Sequence, residues 1–185
     1  MIYTAKTKEE SRKLIKKIGL NTVPEIFVNK NHLDKIQNFF RENKSELYVI
    51  RHASKTNAHY EYVKNYDDYL RVKDGFDDNI IVAVSVNAYK RKILLGAIQV
   101  DNDLIRICAT VNDKLDHRTM YNGSAEFNVE TDVYDKKLNE IPQIDFLLLY
   151  IQKHNLYGLT IEFTIYDKPV GVNKEPILIN ELRNY

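Results

Sequence analysis

Acidic and amide side chains interrupt two apolar runs near the C-terminal end of the chain. Glu162 lies within LTIEFTI (159–165), and Asn180 and Glu181 lie within PILINELR (176–183). A charge inside a strand costs free energy if it is buried without a partner, so these residues either face solvent or have a use. Two carboxylates and an amide oxygen on adjacent strands suit Mg²⁺ bound together with nucleotide phosphates. The pattern therefore predicts metal ligands at Glu162, Glu181 and Asn180.

A purely structural interpretation of the same residues stays open at this point. Glu162 can face water between Thr160 and Thr164, while Glu181 pairs with Arg183 at the edge of a sheet. Exposed ion pairs of this kind are common and contribute little to stability. Residue types alone do not separate this arrangement from a metal site.

Arg51 is the second candidate for chemistry. It lies at the end of the apolar run LYVIRHA (47–53), and the hydrogen-bond donors His52, Ser54 and Lys55 follow it or lie close by. A guanidinium fixed at a strand end can bind phosphate oxygens in a bidentate manner. The alternative for Arg51 is an ordinary surface ion pair.

Hydrophobic periodicity and turn residues predict the elements that would position these side chains. One helix ends at Gly19, a second covers about 31–43, and a third begins at Pro142. The other apolar runs predict strands, and the three between residues 80 and 111 look like an antiparallel meander before the final hairpin. We therefore expect a single α+β domain over residues 1–185, with two N-terminal helices, a β-rich antiparallel middle, one later helix and a C-terminal β-hairpin.

Composition excludes several classes of protein. The 185 residues carry 27 Lys and Arg against 26 Asp and Glu, and a net charge of +1 provides no global field for nucleic acid or an anionic membrane. The one cysteine, Cys108, excludes an intrachain disulfide and is more typical of a core residue than of a nucleophile. The N-terminal segment lacks the apolar core of a signal peptide, and no apolar run approaches the ~20 residues of a membrane helix. We expect a cytoplasmic protein without a membrane partner.

Four segments carry a resemblance to a known family. GLNTVPEIFV (19–28) and YVIRHAS (48–54) resemble a proline-containing segment and an ATP-contacting strand in the ATP-binding domain of phosphoenolpyruvate synthase and pyruvate phosphate dikinase. NYDDYLRV (65–72) lies where that family has an aromatic-rich segment. LTIEFTI followed by ILINELRNY (177–185) is similar to its closing hairpin, and ATP-grasp ligases more broadly end in a comparable carboxylate and Glu-x-Asn pattern.

The resemblance implies a minimal ATP-grasp-type domain with ATP and Mg²⁺ as cofactors and a small-molecule acceptor as substrate. Arg51 would clamp phosphate together with Lys8; either Lys6 or Lys8 falls near the family's N-terminal lysine. Arg183 stands where the ligases usually have asparagine, and it would assist Arg51 in catalysis. Whether the protein is an enzyme stays open; as one, it would be an ATP-dependent phosphotransferase or ligase. The alternative is a non-enzymatic α+β module that binds protein or, less in keeping with the charge balance, nucleic acid.

Overall fold

A computed structural model describes residues 5–53, 59–111 and 125–184. These residues form four α-helices and nine β-strands, and the strands build two antiparallel sheets, so the predicted α+β class is confirmed. The helices are α1 (Lys8–Ile18), α2 (Leu33–Glu42), α3 (Tyr66–Val72) and α4 (Ile144–His154). The strands are β1 (Glu25–Asn29), β2 (Tyr48–His52), β3 (Tyr60–Val63), β4 (Asn79–Val84), β5 (Lys92–Asp101), β6 (Leu104–Thr110), β7 (Phe127–Asp132), β8 (Thr160–Val170) and β9 (Glu175–Arg183).

The chain divides into two compact units, each with its own sheet. One unit consists mainly of Val23–Tyr89, and the other of Glu10–Thr22 together with the described residues after Tyr89. The prediction that residues 1–185 form a single domain stays a prediction. None of the described helices is long and apolar enough to span a membrane.

The smaller unit contains a four-stranded sheet in the order β1-β4-β2-β3. Its central strand β4 is buried at five of its six residues, as expected of a strand that is apolar on both faces. Phe40 of α2 packs on Tyr48 of β2 with ring centroids 4.4 Å apart. Tyr69 of α3 is fully buried, and its hydroxyl donates to the carbonyl of Lys30 at 2.6 Å. Burial raises the pKa of Tyr69 to about 12, so the phenol stays protonated.

The predicted meander is wrong at its first strand. β4 pairs with β1 and β2, whereas β5 pairs with β6 and β8 in the other sheet. Of the pairings expected in the meander, only β5 with β6 is present, and β6 then pairs with β7. A strand that is apolar on both faces can pair with any neighbouring strand, so hydrophobicity alone cannot assign β4 to a sheet.

Helix α3 was not predicted from periodicity, although its start has a recognisable signal. The side chain of Asn65 caps the helix by accepting a hydrogen bond from the backbone N–H of Asp68 at 2.9 Å. Asparagine in this role satisfies one of the donors that every helix leaves unpaired at its N-terminus. The helix covers Tyr66–Val72, within the segment that the sequence assigned only through resemblance.

The larger unit contains a five-stranded sheet in the order β7-β6-β5-β8-β9. One face packs its alternate apolar side chains against α1 and α4, forming the core of this unit. Ile15 of α1 and Leu147 of α4 are fully buried in it. As predicted, α1 ends at Gly19, whose positive φ of 77° suits a residue without a Cβ. The opposite face of the sheet carries the predicted metal ligands.

Asn21 ties the segment after α1 to the β8–β9 hairpin. Its fully buried side chain donates to the carbonyls of Val170 (2.9 Å), Glu175 (3.3 Å) and Ile177 (2.7 Å). Its Oδ1 accepts the backbone N–H of Asn173 at 2.8 Å. One side chain thus satisfies several backbone groups at the end of the hairpin, where strand pairing is interrupted.

Candidate functional site

Glu162 and Glu181 face each other across the final hairpin. They are register partners on β8 and β9, and on its other side Glu162 pairs with Ala97 of β5. Register partners on antiparallel strands lie side by side on one face of a sheet. Only 13% of the Glu162 side chain and 10% of the Glu181 side chain are exposed. The structure therefore brings the two predicted carboxylates together, and both are largely buried.

A β-bulge adds Asn180 to the same face. Glu162 pairs with Glu181 while the next residue, Phe163, pairs with Ile179, so Asn180 is the extra residue of β9. Its amide nitrogen donates to Oγ1 of Thr164 at 2.9 Å, and Thr164 shares a face with Glu162 because the two are two residues apart. Strict alternation would place the consecutive residues Asn180 and Glu181 on opposite faces. The bulge is what allows both to face the same way.

Thr164 is a member of this site that the sequence analysis did not identify as one. It is 1% exposed, and its hydroxyl accepts the hydrogen bond that orients Asn180. The sequence analysis mentioned it only as a flank of Glu162. The available signal was its position two residues after Glu162 in a strand, which places both side chains on one face, but its partner depends on the bulge.

Arg183 lies against both carboxylates. Its Nε donates to Oε1 of Glu181 at 2.7 Å, and its Nη2 lies 3.8 Å from Oε1 of Glu162. Like charges directly opposite each other destabilise a pair of strands, and the guanidinium offsets that repulsion. The Glu181–Arg183 pair of the structural interpretation is therefore present. Glu162, however, does not face water as that interpretation expected.

The donor atoms at this place fit a divalent cation by type. Two carboxylates and an amide oxygen are hard oxygen ligands of the kind that Mg²⁺ and Ca²⁺ take. Among the described residues, no group of three or more His, Cys, Asp or Glu side chains could hold a metal ion. A site here would consequently combine Glu162 and Glu181 with Asn180, and it would have to accommodate the nearby guanidinium of Arg183.

Arg51 lies in the four-stranded sheet, whereas Glu162 and Glu181 lie in the five-stranded one. It is half-buried near the end of β2, and its guanidinium carbon is 5.9 Å from the centroid of the Tyr60 ring. Contact with an aromatic face restrains the orientation of a guanidinium. The convergence of Arg51 with the two glutamates stays a prediction.

The remaining predicted residues occupy varied positions. Lys8 is the first residue of α1 and is half-buried. His52 is buried, and its Nδ1 accepts the backbone N–H of Asp77 at 3.2 Å. Ser54 and Lys55, expected as further donors beside Arg51, lie outside the described residues.

Cys108 lies on the same sheet face as Glu162, because both are register partners of Ala97. It is half-buried, and burial raises the pKa of its thiol. A raised pKa reduces the thiolate fraction at neutral pH, and the thiolate is the nucleophilic form. The expectation of a core residue is wrong, because half-buried Cys108 is not among the buried residues of the apolar core; that Cys108 is not a nucleophile stays a prediction.

Comparisons with known proteins identify the fold through solved structures alone. No protein-family model and no curated protein matches the chain. D-alanyl-alanine synthetase A from Vibrio cholerae matches with a TM-score of 0.54 and 14% identity, over 96% of this chain and 54% of that one. N5-carboxyaminoimidazole synthase from Aspergillus clavatus, in complex with ADP and 5-aminoimidazole ribonucleotide, matches with a TM-score of 0.55 and 10% identity, over 97% of this chain and 44% of that one. The ATP-grasp ligase PsnB, complexed with a minimal precursor, matches with a TM-score of 0.52 and 13% identity, over 96% of this chain and 51% of that one.

These likenesses establish the fold. At 10–14% identity they show shared architecture, and they confirm the predicted ATP-grasp-like α+β fold. The chain spans about half the length of the structures that it matches. The finer resemblance to phosphoenolpyruvate synthase and pyruvate phosphate dikinase stays a prediction.

Proposed function

We propose that this protein binds Mg-ATP and transfers a phosphoryl group to a small acceptor, as an ATP-grasp-like phosphotransferase or ligase. The observation that carries the proposal is the side-by-side placement of Glu162 and Glu181 on one face of the sheet, with Asn180 added by a bulge. Two further findings support it: structures of the same fold include one in complex with ADP and one described as an ATP-grasp ligase. The segments around Arg51 and in the final hairpin also resemble an ATP-binding domain, and this resemblance supports the same function.

In this proposal the buried carboxylates and Asn180 hold the metal. Mg²⁺ bound there together with nucleotide phosphates would neutralise negative charge on the transferred group. Burial of Glu162 and Glu181 on neighbouring strands keeps their carboxylates in place, so binding costs little side-chain entropy. Thr164 orients the amide of Asn180 through the hydrogen bond that it accepts.

The cationic residues act on the phosphates. Arg51, restrained by its contact with Tyr60, presents a planar fork of donors that matches phosphate oxygens. Lys8 contributes a point charge to the same group of ligands, and Arg183 assists Arg51 in stabilising charge during transfer. A small carboxylate or a comparable nucleophile would serve as the acceptor, because its oxygen can attack the γ-phosphoryl group of ATP in line while the bond to the ADP oxygen breaks and ADP leaves.

Thermal unfolding in the presence of ligands tests the proposal. A ligand that binds only the folded state stabilises it by about 2.7 kcal/mol at a concentration a hundredfold above its Kd. For a chain of this size we expect Mg-ATP to raise Tm by roughly 5–10 °C, more than ATP or Mg²⁺ alone. Glu181→Gln should reduce that shift, because it removes a predicted metal ligand.

A matched control is available on the same face of the sheet. Glu130 of β7 also forms an ion pair with an arginine, Arg106, but 61% of its side chain is exposed. Glu130→Gln should retain the full Mg-ATP shift. Absence of any shift with millimolar Mg-ATP would contradict the proposed function and favour the binding-module alternative.

A further inference from the structure

The guanidinium of Arg183 lies beside Glu162 and Glu181, where a metal ion bound by these two carboxylates would also have to lie. It is within hydrogen-bond distance of Glu181 and 3.8 Å from Glu162. We propose that Arg183 is a resident counter-cation of this carboxylate pair, and that a divalent metal binds only when it displaces Arg183 from Glu181. The inference rests on the proposed metal site and specifies what controls its occupancy.

The need for a counter-cation follows from the burial of both carboxylates. Glu162 and Glu181 are register partners with side-chain exposures of 13% and 10%. Two facing carboxylates with so little access to water repel each other more strongly than exposed ones, and each also loses solvation. A single guanidinium that reaches both compensates them, so the hairpin is stable without a metal.

Competition follows from the atoms involved. Oε1 of Glu181 accepts the Nε–H of Arg183 at 2.7 Å, and Oε1 of Glu162 is the atom nearest to its Nη2. A metal ion bound by these two oxygens would occupy atoms that Arg183 already contacts, and it would place a double positive charge within a few ångströms of the guanidinium. The repulsion between the two cations opposes joint occupancy.

Arg183 is the partner best able to move. A third of its side chain is exposed, whereas both carboxylates are almost covered. A long arginine side chain can keep its stem on the protein and move its charged end into water. Displacement therefore requires rotation of one side chain and no change in strand pairing.

The same sheet face offers a matched comparison. Arg106 of β6 also lies between two carboxylates, with its Nη1 3.3 Å from Asp101 and its Nε 3.3 Å from Glu130. Those carboxylates have exposures of 35% and 61%, so water screens their charges. Removing Arg106 should consequently have no effect on metal binding.

Titration of the purified chain with Mn²⁺, followed by the loss of the free-ion EPR signal, tests the competition. We expect Arg183→Gln to bind Mn²⁺ at least about tenfold more tightly than wild type, and Arg106→Gln to bind it as wild type does. Adding Glu181→Gln to Arg183→Gln should abolish the gain. Equal Mn²⁺ affinity in wild type and Arg183→Gln would overturn the inference while the proposed metal site stands. No Mn²⁺ binding by either protein would overturn both.

A second measurement uses the wild-type chain and does not depend on the folding of a variant. The Nε–H resonance of Arg183, assigned by its absence in Arg183→Lys, should be shifted and protected from exchange while it donates to Glu181. Addition of Mg²⁺ should move it to the position of a solvated arginine. Saturation of the site by Mg²⁺ without any change in this resonance would contradict displacement.

Discussion

Gly171 shows how a single position can constrain the final hairpin. It lies in the turn after β8 with a φ of 72°, a conformation that L side chains rarely adopt. A Cβ built there would lie 2.5 Å from Cδ2 of Leu178, 2.6 Å from Oδ1 of Asn21 and 2.7 Å from the carbonyl oxygen of Thr22. Two of these atoms belong to the hydrogen-bonded segment that Asn21 holds against the hairpin, so they have little freedom to move.

We expect Gly171→Ala to lower the free energy of unfolding by about 2–4 kcal/mol, because strain at positive φ adds to steric overlap. Urea denaturation followed by circular dichroism measures the change. Gly75→Ala is the control: Gly75 has no positive φ, and a Cβ there meets nothing within 4 Å. If both variants unfold at the same urea concentration, the packing described around Gly171 is wrong.

At the scale of elements, α4 is held to the hairpin by polar groups as well as by its apolar face. The hydroxyl of Tyr150 lies 3.4 Å from Oε2 of Glu175 and accepts the backbone N–H of Asn21, also at 3.4 Å. One turn later, the ring of His154 packs on that of Tyr150 with centroids 4.5 Å apart. The Nε2 atom of His154 is buried and has no hydrogen-bond partner in the part of the chain that the structure describes.

This environment predicts a pH dependence of stability. Burial lowers the pKa of His154 from its usual 6.5, Lys153 lowers it further, and Glu175 opposes the shift. The unfolded state therefore binds the proton more readily than the folded state. The contribution of neutral His154 to the free energy of unfolding is fully present above pH 6.5. It is lost as the pH falls from 6.5 through the folded-state pKa.

Urea midpoints measured between pH 8 and pH 5 check this expectation. His154→Gln should flatten the decrease over that range, because it removes the group whose protonation the fold resists. His59→Gln is a suitable control, since more than half of the His59 side chain is exposed, with its Nε2 2.9 Å from Oε1 of Glu61. A profile unchanged by His154→Gln would show that the acid sensitivity comes from other groups.

On the scale of the whole molecule, the balance of charge argues against capture of nucleic acid. The net charge is +1, and the basic residues of the N-terminal segment do not form one continuous helical face. Lys6 precedes α1. The side chain of Arg12 is engaged within the protein, because its Nη1 donates to Oγ1 of Thr22 at 2.9 Å. Lys13, Lys16 and Lys17 stay exposed on the helix. Three exposed lysines contact few phosphates.

We therefore expect only weak, salt-sensitive binding to single- or double-stranded DNA and RNA, because affinity for few phosphates falls steeply with ionic strength. Fluorescence anisotropy at ~0.15 M salt, where the Debye length is about 8 Å, is the measurement. The combined changes Lys13→Glu, Lys16→Glu and Lys17→Glu should abolish whatever binding appears at low salt. Sequence-specific binding below micromolar concentrations would make the nucleic-acid module the leading function.

Local signals in the sequence determined most of the elements and the types of residue at the candidate site. Gly19 ends α1, the apolar spacing of Ile36, Phe39 and Phe40 defines α2, and the two apolar runs of the final hairpin pair as β8 and β9. These features depend on backbone preferences and on periodicities of 3.6 and 2 residues, which neighbours in the chain express directly.

Tertiary structure alone decided the sheet of β4, the face of Asn180 and the partners of Arg183. Whether β4 pairs with β5 or with β1 and β2 depends on contacts between distant residues, because an apolar strand suits either sheet. The bulge that turns Asn180 and Glu181 to one face exists only in the register of β8 with β9. The placement of Arg183 over two carboxylates depends on that register too, since their repulsion becomes large only when the strands bring them together and exclude water.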